Sequence, residues 1–288
     1  MSSTKVVFWD VQHGSASYIS TPNNRHIVVD LGVGSYTEKN LTFSPLLHLK
    51  NKYNVNKLDF VLITHPHRDH IDDILNFELL SPSVLLRPKN ISKEDILKNV
   101  SEEDKAKFLK YFEINDKYIY TVQPIDDITN PDNYGGLQIK TYSSTSCSTS
   151  NINNQSFVMI ISYASVKIVF TGDNESCSWN ELMKDECFIN DVRNSHVFLA
   201  PHHGRESGYN SDLLNIINPY ITIVSDGRCC DTSANNRYSA KSQGCDVFIE
   251  SKNKYEKRKC LTTNNDGVIT IDFGYNNEGK PFLYISIN

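Results

Sequence analysis

Three histidines and one carboxylate fall within a single six-residue stretch of the sequence. His65, His67, Asp69 and His70 directly follow the apolar run 60–63. In an extended segment, side chains two positions apart point the same way, so His65 and His67 can share one cation. Asp69 and His70, beyond the bend at the intervening proline, can face a second. Because imidazole nitrogen and carboxylate oxygen suit zinc, manganese or iron, the stretch predicts a metal site.

Two other apolar runs also end in side chains that bind metals. Asp173 follows Gly172 at the end of the run 166–170, and His202 and His203 follow the run 197–199. A carboxylate at position 173 can bridge two cations, and the histidine pair supplies further imidazoles. The recurrence of such residues after three predicted strands indicates one shared site.

The elements that must position these residues are predicted to be those of a mixed α/β protein. Strand-like runs follow one another early and late in the chain, and apolar residues recur at helical spacing elsewhere. This order favours two mixed sheets covered by helices over one parallel sheet. Strands are predicted at 5–9, 16–20, 26–30, 137–142, 156–163 and 166–171, helical spacing at 71–79, 104–112 and 213–217, a helical insertion near 89–117 and a polar loop at 143–156.

Length and composition fit a single globular domain, 1–288, without membrane insertion. The chain has 288 residues with a formal net charge of −5, and no apolar run is long enough to span a membrane. The first residues lack the pattern of a secretory signal, so a cytoplasmic location is expected. The seven cysteines show no C-x-x-C spacing and are expected to be reduced. They are Cys147, Cys177, Cys187, Cys229, Cys230, Cys245 and Cys260.

The metal motifs resemble those of the metallo-β-lactamase fold. The similarity is greatest to the branch that contains the hydrolase domain of bacterial DNA-uptake competence proteins and the phosphorylcholine esterases. Matching segments occur in order along nearly the whole chain. They are Asp10-Val11-Gln12-His13-Gly14-Ser15-Ala16, Asp30-Leu31-Gly32, His65-x-His67-x-Asp69-His70, Asn153-Asn154-Gln155-Ser156, Thr171-Gly172-Asp173, His202-His203-Gly204 and Asn236-Arg237-Tyr238.

This resemblance implies a four-layer αββα sandwich with two divalent metal ions, zinc or manganese, at one edge of its sheets. It implies that His65 and His67 bind one ion, that Asp69 and His70 bind the other, and that Asp173 bridges them. It also implies that one histidine of the pair His202/His203 completes the coordination of the second ion, and His203 is preferred for this role. The sequence departs from the family in having no histidine from 71 to 172, and in having His13 and Ser15 at the opening turn.

The implied reaction is hydrolysis by a metal-activated hydroxide, with Asp69, His202 and Asp30 as catalytic residues. His202 is expected to bind or protonate a substrate oxygen, and Asp30 either orients a ligand histidine or is an ordinary turn carboxylate. The branch favours a phosphodiester, either a nucleotide or a single-stranded nucleic acid. Substrate-binding roles are expected for Ser156, Asn236, Arg237 and Tyr238, and the basic run 252–259, with Tyr255, is either a nucleic-acid contact or a solvated face.

Two alternatives remain open from the sequence. The same site can act on a carbonyl, such as a lactone, thioester or lactam. Alternatively, the chain is a non-catalytic sensor or binding module on the same fold. The missing histidine and the altered opening turn favour the second alternative, whereas the complete motif at 65–70 argues against it.

Overall fold

Two mixed β-sheets pack face to face and carry helices on their outer faces. The computed structural model describes residues 2–35, 42–98, 100–227 and 234–288. The predicted early and late strand groups are present, in two different sheets. The strands are β1 Ser2–Phe8, β2 Ser17–Ser20, β3 His26–Val29, β4 Gly34–Ser35, β5 Thr42–Phe43, β6 Phe60–Leu62, β7 Val84–Leu86, β8 Gln138–Tyr142, β9 Val158–Tyr163, β10 Val166–Phe170, β11 Val197–Leu199, β12 Ile221–Val224, β13 Cys245–Ile249, β14 Lys254–Arg258, β15 Cys260–Thr262, β16 Ile269–Tyr275 and β17 Pro281–Ile287.

The helices lie mainly between strands and cover the outer faces of the sheets. The α-helices are α1 Pro45–Lys52, α2 Arg68–Ile71, α3 Lys93–Leu97, α4 Lys105–Lys117, α5 Ser176–Leu182, α6 Glu186–Val192, α7 Ser211–Ile217, α8 Asn235–Lys241 and α9 Thr263–Asp266. Short 3₁₀ helices span Ile74–Leu80, Pro124–Asp126, Pro131–Tyr134, Ile152–Gln155, Glu206–Gly208 and Glu250–Lys252, and a turn with positive φ angles lies at Pro201–Gly204. The predicted helix over 71–79 is thus a short α-helix followed by a 3₁₀ helix.

The strand order explains how distant segments share each sheet. The larger sheet has the order β14-β13-β17-β16-β1-β2-β3-β6-β7, and the smaller has β15-β12-β11-β10-β9-β8. Both sheets mix parallel and antiparallel neighbours. The prediction of two mixed sheets is confirmed.

Alternate residues of β1 show how the four layers form. Val6 and Phe8 point between the sheets, where the ring of Phe8 stacks on that of Phe170 with centroids 5.7 Å apart. Val7 belongs to the apolar cluster on the opposite face, together with residues of α1 and α4. A third cluster packs α5 to α8 against the smaller sheet. Strands in the middle of the sheets, such as β6 and β11, are buried on both faces and apolar at every position, whereas the edge strand β14 is mostly charged.

The prediction that the cysteines are all reduced is wrong for two of them. Cys147, in the loop before β9, forms a disulfide with Cys177 in α5, 30 residues away. Cys187, Cys245 and Cys260 are free, whereas Cys229 and Cys230 lie outside the described residues. Oxidising compartments sustain such bonds, so the cytoplasmic location expected from free thiols loses that support. Among the residues that the structure describes, no helix is long and apolar enough to cross a membrane.

Candidate metal centre

The predicted metal-binding segments meet at one edge of the two sheets. In the larger sheet β3 is parallel to β6, and in the smaller sheet β10, β11 and β12 are mutually parallel. Loops at the carboxyl ends of parallel neighbours open at the same edge. The loop after β6 carries His65 to His70, and the loops after β10 and β11 carry Asp173 and the pair His202-His203. The packing of one sheet on the other brings the two sets of loops together.

One group of donor atoms comprises His65, His67 and Asp173. Their nearest ligand atoms all lie within 4.8 Å of one another. His65 Nε2 is 3.1 Å from His67 Nδ1 and 3.7 Å from Asp173 Oδ2. Two imidazoles and a carboxylate at this spacing can hold a divalent cation between them.

A second group comprises Asp69, His70, Asp173 and His203, which meet the same 4.8 Å limit. His203 Nε2 lies 3.0 Å from Asp69 Oδ2 and 3.6 Å from Asp173 Oδ2. His203 Nδ1 donates to the carbonyl oxygen of Ser225 at 2.9 Å, so Nε2 is the ring nitrogen that faces the group, and in the neutral ring it offers a lone pair there. Asp173 belongs to both groups.

The side chain of His70 tests whether this donor set fits a metal ion. Its Nδ1 lies 2.8 Å from Asp30 Oδ2, and because a carboxylate only accepts, Nδ1 carries the proton. In the neutral ring Nε2 is then a lone pair, and this nitrogen is buried without a hydrogen-bond partner among the described residues, with Asp173 Oδ1 3.2 Å away. A cation at Nε2 takes the place of the second proton that the surrounding carboxylates otherwise attract to the ring. A buried nitrogen without a partner is costly unless a cation binds it. The donor set therefore fits a divalent metal.

Asp30 is positioned by an unusual backbone conformation at the end of β3. Its φ angle is 61°, which turns the carboxylate under the 64–70 loop. There the carboxylate accepts hydrogen bonds from the backbone N–H of Thr64 at 2.7 Å and from its hydroxyl at 2.9 Å, besides that from His70. A strained turn thus anchors the metal-binding loop through one carboxylate.

The electrostatics of the cluster favour a bound cation. Burial disfavours the charged form of His70, but the carboxylates of Asp173, Asp30 and Asp69 outweigh burial and raise its pKa well above the ordinary value. Burial would raise the pKa of Asp69 and Asp173, but the facing imidazoles, chiefly those of His70 and His203, lower both. Carboxylates therefore attract positive charge into this edge.

His202 does not point into either donor group. Its Nδ1 lies 3.0 Å from Glu175 Oε1 and 2.8 Å from the hydroxyl of Ser207. Its Nε2 is 4.0 Å from Asp173 Oδ2 and accepts a hydrogen bond from Arg205 at 3.0 Å. His202 therefore borders the metal-binding cluster without belonging to it.

Sequence reasoning missed Glu175 and Arg205, both of which lie beside this cluster. Each stands two positions after a predicted ligand, Glu175 after Asp173 and Arg205 after His203. That closeness in sequence is the signal that could have found them. His13, noted above only as a departure from the family, has its Nε2 3.6 Å from Asp69 Oδ2.

The residues expected to bind substrate lie around the site rather than in it. Tyr238 is fully buried in the helical layer. Ser156 is also fully buried, and its hydroxyl accepts a hydrogen bond from the backbone N–H of Asp173. Asn236 and Arg237 are exposed on α8, where the guanidinium of Arg237 stacks 3.7 Å from the ring centroid of Tyr209 and pairs with Glu206. In this conformation Ser156 and Tyr238 have no access to a substrate.

Gly172 is required by the backbone that delivers Asp173. Its φ angle is +53°, and an added Cβ would lie 2.8 Å from the Cβ atoms of both Ser156 and Thr64. We expect Gly172→Ala to lower the free energy of unfolding by about 2–4 kcal/mol, because left-handed strain and overpacking add. Urea unfolding measures this change. Gly279→Ala is the matched control, since Gly279 has φ +73° but open space around it, and equal losses in both variants would contradict the packing argument.

Among the comparisons with known proteins, only the comparison of structures found similar proteins. No family model matches the chain, and no curated protein matches its sequence. The metallo-beta-lactamase fold protein YhfI from Bacillus subtilis aligns with 98% of this chain and 99% of its own, at 14% identity and a TM-score of 0.49. A diphosphatase from the PhnP family aligns with 95% of this chain and 98% of its own, at 10% identity and TM-score 0.46. Zn²⁺-bound PqqB from Methylobacterium extorquens covers 92% of this chain and 99% of its own, at 9% identity and TM-score 0.44.

The chain has the metallo-β-lactamase-type αββα fold that the sequence motifs implied. Its own architecture carries this conclusion. Two mixed sheets lie between helical layers, and the three histidine and aspartate segments gather at one edge of the sheets.

Proposed function

We propose that the protein is a metal-dependent hydrolase that cleaves a phosphodiester, in a nucleotide or a single-stranded nucleic acid, with two divalent ions, zinc or manganese. One observation supports this proposal above the others. The carboxylate of Asp173 lies in two donor groups at once, one with His65 and His67 and one with Asp69, His70 and His203. A shared carboxylate is the arrangement that two neighbouring cations need.

The residues around that carboxylate have different roles in this proposal. Two bound cations would lower the pKa of water to roughly 7 and stabilise negative charge on the phosphoryl oxygens. Asp69 and Asp173 offer the oxygen ligands, and Asp30 keeps the proton of His70 on Nδ1, so that Nε2 faces the site. His202 borders the site, and in this proposal its ring binds an oxygen of the substrate once the hydrogen bond from Arg205 to its Nε2 is released.

Metal analysis combined with parallel hydrolysis screens tests this proposal. We expect purified protein to bind about two equivalents of divalent metal and to hydrolyse an activated phosphodiester, nucleotides or single-stranded DNA. A lactone, thioester and β-lactam panel is run under the same conditions. Hydrolysis confined to that second panel would mean that the site acts on carbonyl substrates instead of phosphodiesters. One tightly held ion with no hydrolysis in either panel would instead identify a sensor or binding module.

A further inference from the structure

Arg205 is held in place by the same turn that presents His203. His202, His203 and Gly204 have φ angles of 49°, 52° and 77°, so three consecutive residues adopt the left-handed conformation. The backbone N–H of Arg205 then donates to the carbonyl oxygen of His202 at 3.0 Å, and the Arg205 carbonyl accepts from Gly208 at 3.2 Å. The backbone on both sides of the arginine is therefore tied down, which fixes where its side chain starts.

The guanidinium of Arg205 lies beside the candidate metal centre, next to His202. It donates to His202 Nε2, an atom 4.0 Å from the shared carboxylate of Asp173. Its positive charge also acts on His13, whose ring lies beside Asp69 and His203. After burial, which is the main cause, the nearby charges of His203 and Arg205 help to lower the pKa of His13. The guanidinium is thus one residue away from the carboxylate that both donor groups share.

Most of the hydrogen-bonding capacity of Arg205 is unused. A guanidinium has five N–H donors, and the side chain of Arg205 makes one hydrogen bond, to His202, among the described residues. Within the same described part of the chain it forms no ion pair, whereas Arg25, Arg68, Arg237 and Arg258 each pair with a carboxylate. The side chain is half-buried beside His202, and its other donors make no hydrogen bond to the described residues.

We propose that Arg205 binds the non-bridging oxygens of the substrate's phosphoryl group and so selects phosphoryl over carbonyl substrates. This inference rests on the proposed function and adds the residue that sets its substrate class. A guanidinium fork matches two oxygens of a phosphate, whereas a lactone or lactam offers it one neutral carbonyl oxygen. Arg205 thereby takes the role that the sequence had suggested for Arg237, whose guanidinium is engaged by Tyr209 and Glu206.

Substitution of Arg205 tests this assignment, with inorganic phosphate as the probe. In metal-loaded protein we expect Arg205→Gln to weaken phosphate binding roughly 10- to 100-fold, measured by competitive inhibition and by the rise in melting temperature with phosphate. KM for the phosphodiester rises similarly. The phosphate affinity of Arg205→Lys is expected to lie between those of the unaltered protein and Arg205→Gln, because lysine keeps the charge but loses the two-pronged guanidinium. Metal content stays that of the unaltered protein in both variants.

Arg193→Gln is the matched control. Arg193 is an exposed arginine that precedes β11, whereas Arg205 and the donor groups lie beyond the carboxyl end of this strand. If Arg205→Gln weakens phosphate no more than this control, or lowers kcat alone, the assignment is overturned and Arg205 serves only to position His202. That result leaves the proposed function standing wherever the unaltered protein hydrolyses phosphodiesters. Conversely, the protein could bind phosphate through Arg205 and yet hydrolyse no phosphodiester. That result would support the assignment of Arg205 as a phosphate ligand and contradict the proposed function.

Discussion

Asp173→Asn is expected to abolish hydrolysis, lowering kcat/KM by roughly 10³-fold or more, equivalent to about 4 kcal/mol of transition-state stabilisation. Asp173 Oδ1 lies 3.2 Å from His70 Nε2, and Oδ2 lies 3.7 Å from His65 Nε2 and 3.6 Å from His203 Nε2. The amide of asparagine is neutral and has a single acceptor oxygen. It therefore cannot serve both donor groups, although its size is unchanged.

Steady-state kinetics with an activated phosphodiester and elemental analysis measure this effect together. We expect metal content to fall below that of the unaltered protein, because each donor group loses a charged ligand. Asp191→Asn is the matched control: Asp191 lies on α6, where its carboxylate pairs with Lys140 and the hydroxyl of Tyr142. Full turnover and full metal content in Asp173→Asn would refute a shared carboxylate.

The parts of the fold and site that the sequence predicted depend on local patterns. A short apolar run followed within three residues by polar side chains marks the end of a strand, and β6, β10 and β11 all show it. Parallel strands place Asp173 and His203 at one edge of the smaller sheet, whereas His65 follows a strand of the larger sheet. The packing of the two sheets brings His65 to Asp173, from which 108 positions separate it in the numbering. The resemblance to the family added the four-layer sandwich and the gathering of the three segments at one edge, which no local pattern carries.

The parts that the sequence could not predict are contacts between distant side chains. Arg237 looked like a phosphate ligand because it belongs to a motif, but Tyr209 and Glu206 contact its guanidinium. Arg205 stands two positions after a predicted ligand, but this closeness does not show which way its side chain points. Only the left-handed turn at 202–204 directs Arg205 toward the site, and three successive positive φ angles, two of them at histidines, are not readable from residue types.

The cysteines illustrate the same limit. Cys147 and Cys177 carry no recognisable spacing, and the bond between them follows from the packing of the 143–156 loop against α5. Glu181 in α5 accepts hydrogen bonds from the backbone of Thr145 and Ser146, and Asn151 donates to Glu175. These polar contacts place the loop beside the segment that follows Asp173. A polar loop by composition is therefore an ordered support of the site.

Asp30→Asn is expected to weaken metal binding roughly 10- to 100-fold and to reduce turnover correspondingly, although Asp30 offers no ligand to either donor group. The carboxylate accepts from Thr64 and from His70 Nδ1 at once. In asparagine an NH₂ group replaces one carboxylate oxygen. This new donor would face a group that itself donates, either Thr64 or the Nδ1–H of His70. The ring of His70 then gains by moving its proton to Nε2, and this proton blocks the lone pair that faces the site.

Asparagine tolerates the left-handed backbone of Asp30, so the substitution tests the hydrogen bonds rather than the turn. Asp73→Asn controls for the general cost of neutralising a buried acceptor, because Asp73 is 2% exposed and accepts from Ser44, the backbone of Leu46 and Asn76. Both variants are expected to lose stability in urea, but only Asp30→Asn loses metal in competition with a chelator. Equal metal affinity in the two variants would mean that Asp30 acts as a turn residue alone, because its hydrogen bond to His70 would then have no influence on the nitrogen that faces the cation.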